Sequence, residues 1–219
     1  MDSGNYYGER DTGKDICCFG QKIVRKQWGK IMGIILHDIC KSFDGQTVLK
    51  NISAELPSNG ICNVTGPSGS GKTTLLRIIM GLLKTDSGYV DTDSLSFSPV
   101  FPEDRLLDSL TVLKNVSIVC RQENRARHLL KDVGLEECIS QNPRELSTGM
   151  KRRVALARAL AFDADVLVLD EPFKGVDQET CVVLLDIIKK YSVNRPVILV
   201  DHNQQLVRPS ADFEIKLGK

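Results

Sequence analysis

Eight residues, Gly66-Pro-Ser-Gly-Ser-Gly-Lys-Thr73, carry the strongest chemical statement in the chain. They fit the pattern G-x-x-x-x-G-K-[ST], a loop that wraps phosphate groups. Backbone N–H groups can turn inward around phosphate oxygens at Gly66, Gly69 and Gly71, where a Cβ would obstruct them. Pro67, Ser68 and Ser70 complete the loop, and Thr74 comes directly after it. Lys72 has the reach for the β- and γ-phosphates, and the Thr73 hydroxyl is placed to ligate Mg²⁺. The apolar run Ile61–Thr65 before the loop reads as a short buried strand, and Thr74–Met80 after it as a helix. The loop therefore sits at a helix N-terminus, where orphan N–H groups and the macrodipole favour an anion.

A second group, Val166-Leu-Val-Leu-Asp-Glu171, sets two carboxylates at the C-terminal end of an apolar strand, where ligands sit in open α/β sheets. Asp170 buried there without a cation would be costly, and a Mg²⁺ shared with Thr73 removes that cost. Glu171, one residue on, points differently and could take a proton from an attacking water, a role typically worth about 10²–10⁴ in rate. Leu146-Ser-Thr-Gly-Met150 precedes a clear helical pattern; Ser147 is an N-cap candidate and Gly149 permits close backbone approach. It reads either as a second anion-binding helix terminus or as plain capping. His202, ending the strand pattern Val197–Asp201, could hydrogen-bond a γ-phosphate. His37 and His128 have no comparable context, and Asp177 reads on its own as the N-cap of the next helix.

The elements that must hold these groups alternate along the chain. Strand patterns cover Ile34–Ile39, Ile61–Thr65, Val166–Asp170 and Val197–Asp201. Helical patterns cover Thr73–Leu82, Thr111–Cys120, Asn124–Asp132, Met150–Ala161 and Gln178–Tyr191. The continuous apolar runs Val166–Leu169 and Val197–Val200 suit strands buried on both faces. That order implies an α/β core. The stretch from about Arg105 to Leu146 has helical patterns and no strand, as a helical insertion would.

Composition bounds the rest. The 219 residues are 42% hydrophobic and 26% charged with net charge +1, as in a soluble globular protein with no whole-chain field for nucleic acid or an anionic membrane. No apolar run approaches the roughly 20 residues that span a bilayer. The seven cysteines show no zinc spacing, and their odd number fits a reducing cytosol. Residues 1–31 differ in character from the rest of the chain: Gln21–Lys30 is basic, carries Trp28, and lacks the features of a secretory signal. They are expected to be an N-terminal extension with Met32 as the functional start; the rival reading is a basic arm that touches a membrane surface or a partner.

Taken together, from about residue 33 to 219, the chain resembles the ATP-binding subunits of ABC transporters. The motifs occur in family order: the phosphate loop GPSGSGKTT at Gly66–Thr74, the signature LSTGM at Leu146–Met150, and VLVLDEP at Val166–Pro172. The loop FKGVD ends at Asp177, and the switch histidine is His202. Phe43, in Lys-Ser-Phe-Asp-Gly, matches the aromatic that stacks on adenine. The wording LTVLKNV at Leu110–Val116 and DEPFKGVD at Asp170–Asp177 is most similar to importers of the nitrate, sulfonate and taurine type.

The resemblance implies a P-loop NTPase core of RecA type, mostly a parallel sheet, with a small antiparallel β part. It also implies a helical subdomain inserted at about 103–150 within an ABC ATPase domain over 32–219. The cofactors implied are ATP and Mg²⁺, bound by a head-to-tail homodimer or a heterodimer with another ABC ATPase subunit. Lys72, Thr73 and Asp170 would hold nucleotide and metal, Glu171 would activate water, and His202 would sense the γ-phosphate. Ser147 and Gly149 would bind the γ-phosphate of the facing site, beside the Asp177 loop. Transmembrane permease subunits, with or without a substrate-binding protein, would form the transport path. The subunit would then be cytoplasmic, peripheral on the inner face of the cell membrane, with no nucleic-acid partner. A soluble ABC ATPase without a permease and a weakly active regulatory subunit are the alternatives. A kinase of the same loop class is disfavoured by LSTGM and Glu171.

Three positions depart from the family pattern. Pro102, in Val100-Phe-Pro-Glu103, stands where the family has a glutamine that contacts Mg²⁺ and water and relays nucleotide state to the permease. Its side chain can do neither, and it has no N–H to donate; Glu103 is the nearest substitute. Slow hydrolysis or loose coupling is expected, so Pro102→Gln should change the ATPase rate, and an unchanged rate in steady-state assay would sink the idea. Thr148 replaces the first signature glycine, and Asn203 comes after His202 where an aspartate is usual. The segments Thr85–Ser98 and Val119–Glu123 are short for the family.

Overall fold

The computed structural model describes residues 33–92 and 94–218, together with the backbone of two N-terminal strands, β1 (Cys17–Cys18) and β2 (Gln21–Arg25). The remainder of the expected 1–31 extension lies outside the described residues. Next along the chain are strands β3 (Ile34–Phe43), β4 (Gln46–Leu56) and β5 (Gly60–Thr65), and helix α1 covers Lys72–Ile79. Then come β6 (Ser87–Asp91), β7 (Phe97–Val100), α2 (Val112–Cys120) and α3 (Glu123–Asp132). After two short 3₁₀ turns come α4 (Thr148–Ala161), β8 (Val166–Asp170), α5 (Gln178–Ser192), β9 (Pro196–Val200), the single-turn α6 (Gln204–Val207) and β10 (Phe213–Lys216).

The main sheet runs β1-β2-β10-β5-β9-β8-β7, and its five strands from β10 to β7 are parallel. Every residue of β8 and β9 is buried, because helices cover both faces and no alternation with polar residues is needed. The pairing Asp170↔Val200 places the ends of β8 and β9 side by side. Cys62↔Ile198 and Asn63↔Leu199 bring the end of β5 alongside them. Three chain segments that are remote in sequence, after Thr65, Asp170 and Val200, therefore emerge at one sheet edge.

The core forms two layers. On one face α2, α3, α4 and α5 bury Val112, Leu130, Leu156 and Leu184 against the sheet. On the other, α1 lies under a three-stranded antiparallel sheet, β4-β3-β6, with Leu75, Leu76 and Ile79 packed among Leu49, Ile52 and Leu36. The stretch read as a helical insertion holds α2, α3 and the 3₁₀ turns, and no strand. The predicted helices agree with α1–α5 to within three residues at each end. The strand expected over Val197–Asp201 stops at Val200, because Asp201 instead turns its carboxylate onto the backbone N–H groups of Asn203 (2.8 Å) and Phe173 (3.3 Å).

Candidate nucleotide site

The loop from Gly66 to Gly71 leaves β5 and closes on α1. Gly71 is the N-cap of α1 at φ 91°, a left-handed conformation that favours glycine, and a Cβ there would lie 2.7 Å from Leu49 and 2.8 Å from Val48. No side chain caps α1 and no acidic residue occupies its first turn, so its orphan N–H groups face the loop unopposed. Lys72 Nζ spans the loop to the carbonyls of Gly66 and Pro67, at 2.9 Å each. Ser70 is buried, its Oγ without a hydrogen-bond partner.

A cleft of about 280 Å³ opens over this loop. Ser68, Gly69, Gly71, Lys72, Thr73 and Thr74 line one side, Asp170, Glu171, Val200 and His202 the other, and Val48 reaches in from the antiparallel sheet. Asp170 is 4% exposed and its Oδ1 has no hydrogen-bond partner. Burial pushes its carboxyl above the ordinary range, against the Thr73 hydroxyl bond that favours the charged form; the nearby Glu171 charge pushes the same way as burial. An unpartnered buried carboxylate oxygen beside a threonine hydroxyl, at the mouth of a phosphate loop, fits a hard divalent cation such as Mg²⁺.

Glu171 leaves β8 in the left-handed region, φ 53°, with its N–H held by Val200 O at 2.8 Å. Its Oε1 lies 3.1 Å from His202 Nε2 and its Oε2 3.2 Å from Lys174 Nζ. Burial raises its pKa, but Lys174 and His202 together outweigh that and hold it below the ordinary carboxylate value.

Seven of the expected site residues do not line this cleft: Gly66, Pro67 and Ser70 belong to the loop beneath it, and Ser147, Gly149, Asp177 and Phe43 stand outside it. Ser147 caps α4, its Oγ accepting from Met150 N at 3.3 Å, and Asp177 caps α5, accepting from Thr180 N at 2.9 Å. Gly149 packs against the loop after Glu171: a Cβ on it would fall 2.4 Å from Gly175 O. Gly149→Ala is accordingly expected to force the first turn of α4 off that loop and to cost about 1–3 kcal/mol of stability, read as a lowered denaturation midpoint. Phe43 ends β3, 44% exposed, with Lys41 Nζ 5.4 Å from its ring centre. Glu103 is at the surface, its carboxylate 3.4 Å from Arg105. His37 stacks on Tyr89, and His128 bonds Asn124 O within α3.

Several residues near the site escaped sequence reasoning. Arg152, 2% exposed within α4, donates to Phe101 O at 2.5 Å and to Pro102 O at 2.6 Å. Arg158, further along the same helix, donates to Arg105 O (2.8 Å) and Asp104 O (3.1 Å), so the segment holding Pro102 is fastened to α4 through four carbonyls. Lys174 and Asp201 complete the set. A basic run after a capping serine reads as a solvated helix face, which hid Arg152; Lys174 lies inside the run DEPFKGVD and Asp201 ends a strand pattern, but residue type and spacing assign neither a role.

A parallel sheet with a phosphate loop, a carboxylate pair and a histidine gathered at its C-terminal edge defines a phosphate-loop nucleotide-binding cassette. The ABC transporter family model matches residues 49–174. The chain belongs to that family. It is 41% identical to an aliphatic sulfonates import ATP-binding protein of Rhodococcus jostii, over 79% of this chain and 74% of that protein. It is 35% identical to a sulfate/thiosulfate import ATP-binding protein of Vibrio vulnificus, over 86% of this chain, and spans only 61% of that relative's length. Among solved structures, a dimeric ATP-binding cassette in a post-hydrolysis state, bound to ADP and Pi, superposes with a TM-score of 0.77 at 28% identity. The match covers 84% of this chain and 94% of that one.

Proposed function

We propose that this chain is the ATP-binding and hydrolysing subunit of an importer, driving a membrane permease through ATP-dependent dimerisation. The observation that carries the reading is the cleft in which Lys72, Thr73, Asp170, Glu171 and His202 converge on one phosphate loop. Lys72 binds the β- and γ-phosphates, and the N–H groups from Gly69 to Thr74 surround them. Thr73 and Asp170 would hold Mg²⁺, which neutralises phosphate charge when bound. Glu171 accepts the proton of the attacking water, and His202 bonds the γ-phosphate while orienting Glu171 through its other contact. Phe43 stacks on adenine. Ser147 and Gly149, remote from this cleft, serve the facing protomer's nucleotide beside the Asp177 loop, which makes the active unit a dimer.

Among the described residues no helix is long and apolar enough to cross a membrane. The transport path then belongs to permease subunits, with a substrate-binding protein delivering cargo. The chain acts on the cytoplasmic face of the cell membrane, docking through the segment near Phe101–Thr111. The residues over 32–219 form the ABC ATPase domain, with a helical subdomain at about 103–150. Pro102 fits a weakly coupled transporter and fits equally a second reading, a soluble ABC ATPase that never meets a permease.

The test is to tag the chain in its native cell, solubilise membranes in mild detergent, and identify co-purifying proteins by mass spectrometry. A multi-span membrane protein is the expected companion. Recovery solely from the soluble fraction, with cytosolic partners, would replace this reading by the second one.

A further inference from the structure

The carboxylate of Glu171 is held from two sides. His202, on Oε1, lines the same cleft as Lys72 and Thr73. Lys174, on Oε2, lines only a second cleft, with Phe173, Gln178 and Asn203; Glu171 and His202 line both clefts, and the phosphate loop is absent from the second. The backbone beneath cannot swing: Glu171 sits at φ 53° with its N–H on Val200 O, and Lys174 N–H closes a turn onto Glu171 O at 3.3 Å. With the main chain fixed, rotation of the side chain and its two partners decide where each oxygen points. A base for an attacking water needs an oxygen free toward the phosphate loop, and the ion pair ties Oε2 to Lys174, which lines only the second cleft.

We infer that Lys174 is a positioning residue that restrains Glu171 in a turned-away orientation, so that hydrolysis waits on release of this pair; the inference rests on reading Glu171 as the general base. Lys174 is absent from the lining of the nucleotide cleft and its side chain is 57% exposed, so ATP affinity is expected to stay at the parent value when it is removed. A pair this exposed is worth little, and the restraint amounts to a factor of about two to five in rate.

The test uses the purified full chain with MgATP, comparing Lys174→Met, Lys174→Arg, Glu171→Gln and the double variant of Lys174→Met with Glu171→Gln. ATP affinity is measured by calorimetry alongside turnover. Lys174→Met is expected to raise kcat about two- to five-fold with KM and ATP affinity unchanged, Lys174→Arg to keep the parent rate, and the double variant to show no gain over Glu171→Gln. A kcat for Lys174→Met that is unchanged or lower overturns the inference, as does a gain that survives in the double variant. A change confined to KM would make Lys174 a nucleotide contact and overturn it too. If Glu171→Gln itself turns over at the parent rate, it is the general-base reading that fails, and this one falls with it.

Discussion

Glu171→Gln is expected to lower kcat by about 10²–10⁴-fold while leaving ATP affinity within a few-fold of the parent. The amide keeps the size and hydrogen-bonding outline of the carboxylate, so the backbone bond from residue 171 N–H to Val200 O survives. What it loses is the capacity to accept a proton, together with the charge that attracts Lys174 and His202. Affinity should hold because phosphate binding is assigned to Lys72 and the loop N–H groups on the other wall of the cleft. Steady-state turnover and calorimetric titration with ATP separate the two quantities. A variant that binds weakly and hydrolyses at a proportionate rate would place Glu171 among the binding residues instead.

Arg152→Met is expected to cost about 2–4 kcal/mol of stability, the largest loss from any single side chain near the site. The guanidinium satisfies the carbonyls of Phe101 and Pro102 and lies 3.4 Å from the Asp104 carboxylate, from a position that water does not reach. Methionine fills similar space but donates nothing, leaving those acceptors without a donor. Arg152→Lys should restore part of the loss, since one ammonium cannot fork across two carbonyls as the planar guanidinium does. Denaturant unfolding reads the effect as a shift in midpoint at constant slope. A loss below about 1 kcal/mol would mean that these carbonyls rehydrate easily and that the loop is only loosely fastened.

Much of this molecule is legible in its sequence, for identifiable reasons. The phosphate loop, β8 and β9 are local signals: glycine spacing in one case, unbroken apolar runs in the other. Helices α2 to α5 announce themselves by periodicity, and the caps Ser147 and Asp177 mark two of their starts. Strands β4, β6, β7 and β10 do not. β4 is long but carries lysine, asparagine and glutamate on its exposed side, and β7 and β10 are four residues each. Their existence depends on a neighbour to pair with, which no local window contains. Site partners divide in the same way. Lys72 and Asp170 belong to recognisable runs, whereas the contact of Arg152 with Pro102 joins segments brought together by α4 packing on the sheet, and that of His202 with Glu171 segments brought together by the pairing of β8 with β9.

The strand order carries a consequence in time. β5, which presents the phosphate loop, is flanked by β9 and β10, both from the last part of the described chain. Leu217 N–H bonds Thr65 O at 2.8 Å, and the Leu217 carbonyl sits directly against Gly66. As the polypeptide leaves the ribosome, β5 emerges long before either neighbour and must wait, unpaired on both sides, for them to arrive. Long-range closure of this kind is slow, and an apolar strand with two open edges is a place where chains stick to one another. Nucleotide binding at the loop therefore waits on β9 and β10 joining β5, and nucleotide that binds the assembled sheet stabilises it by mass action.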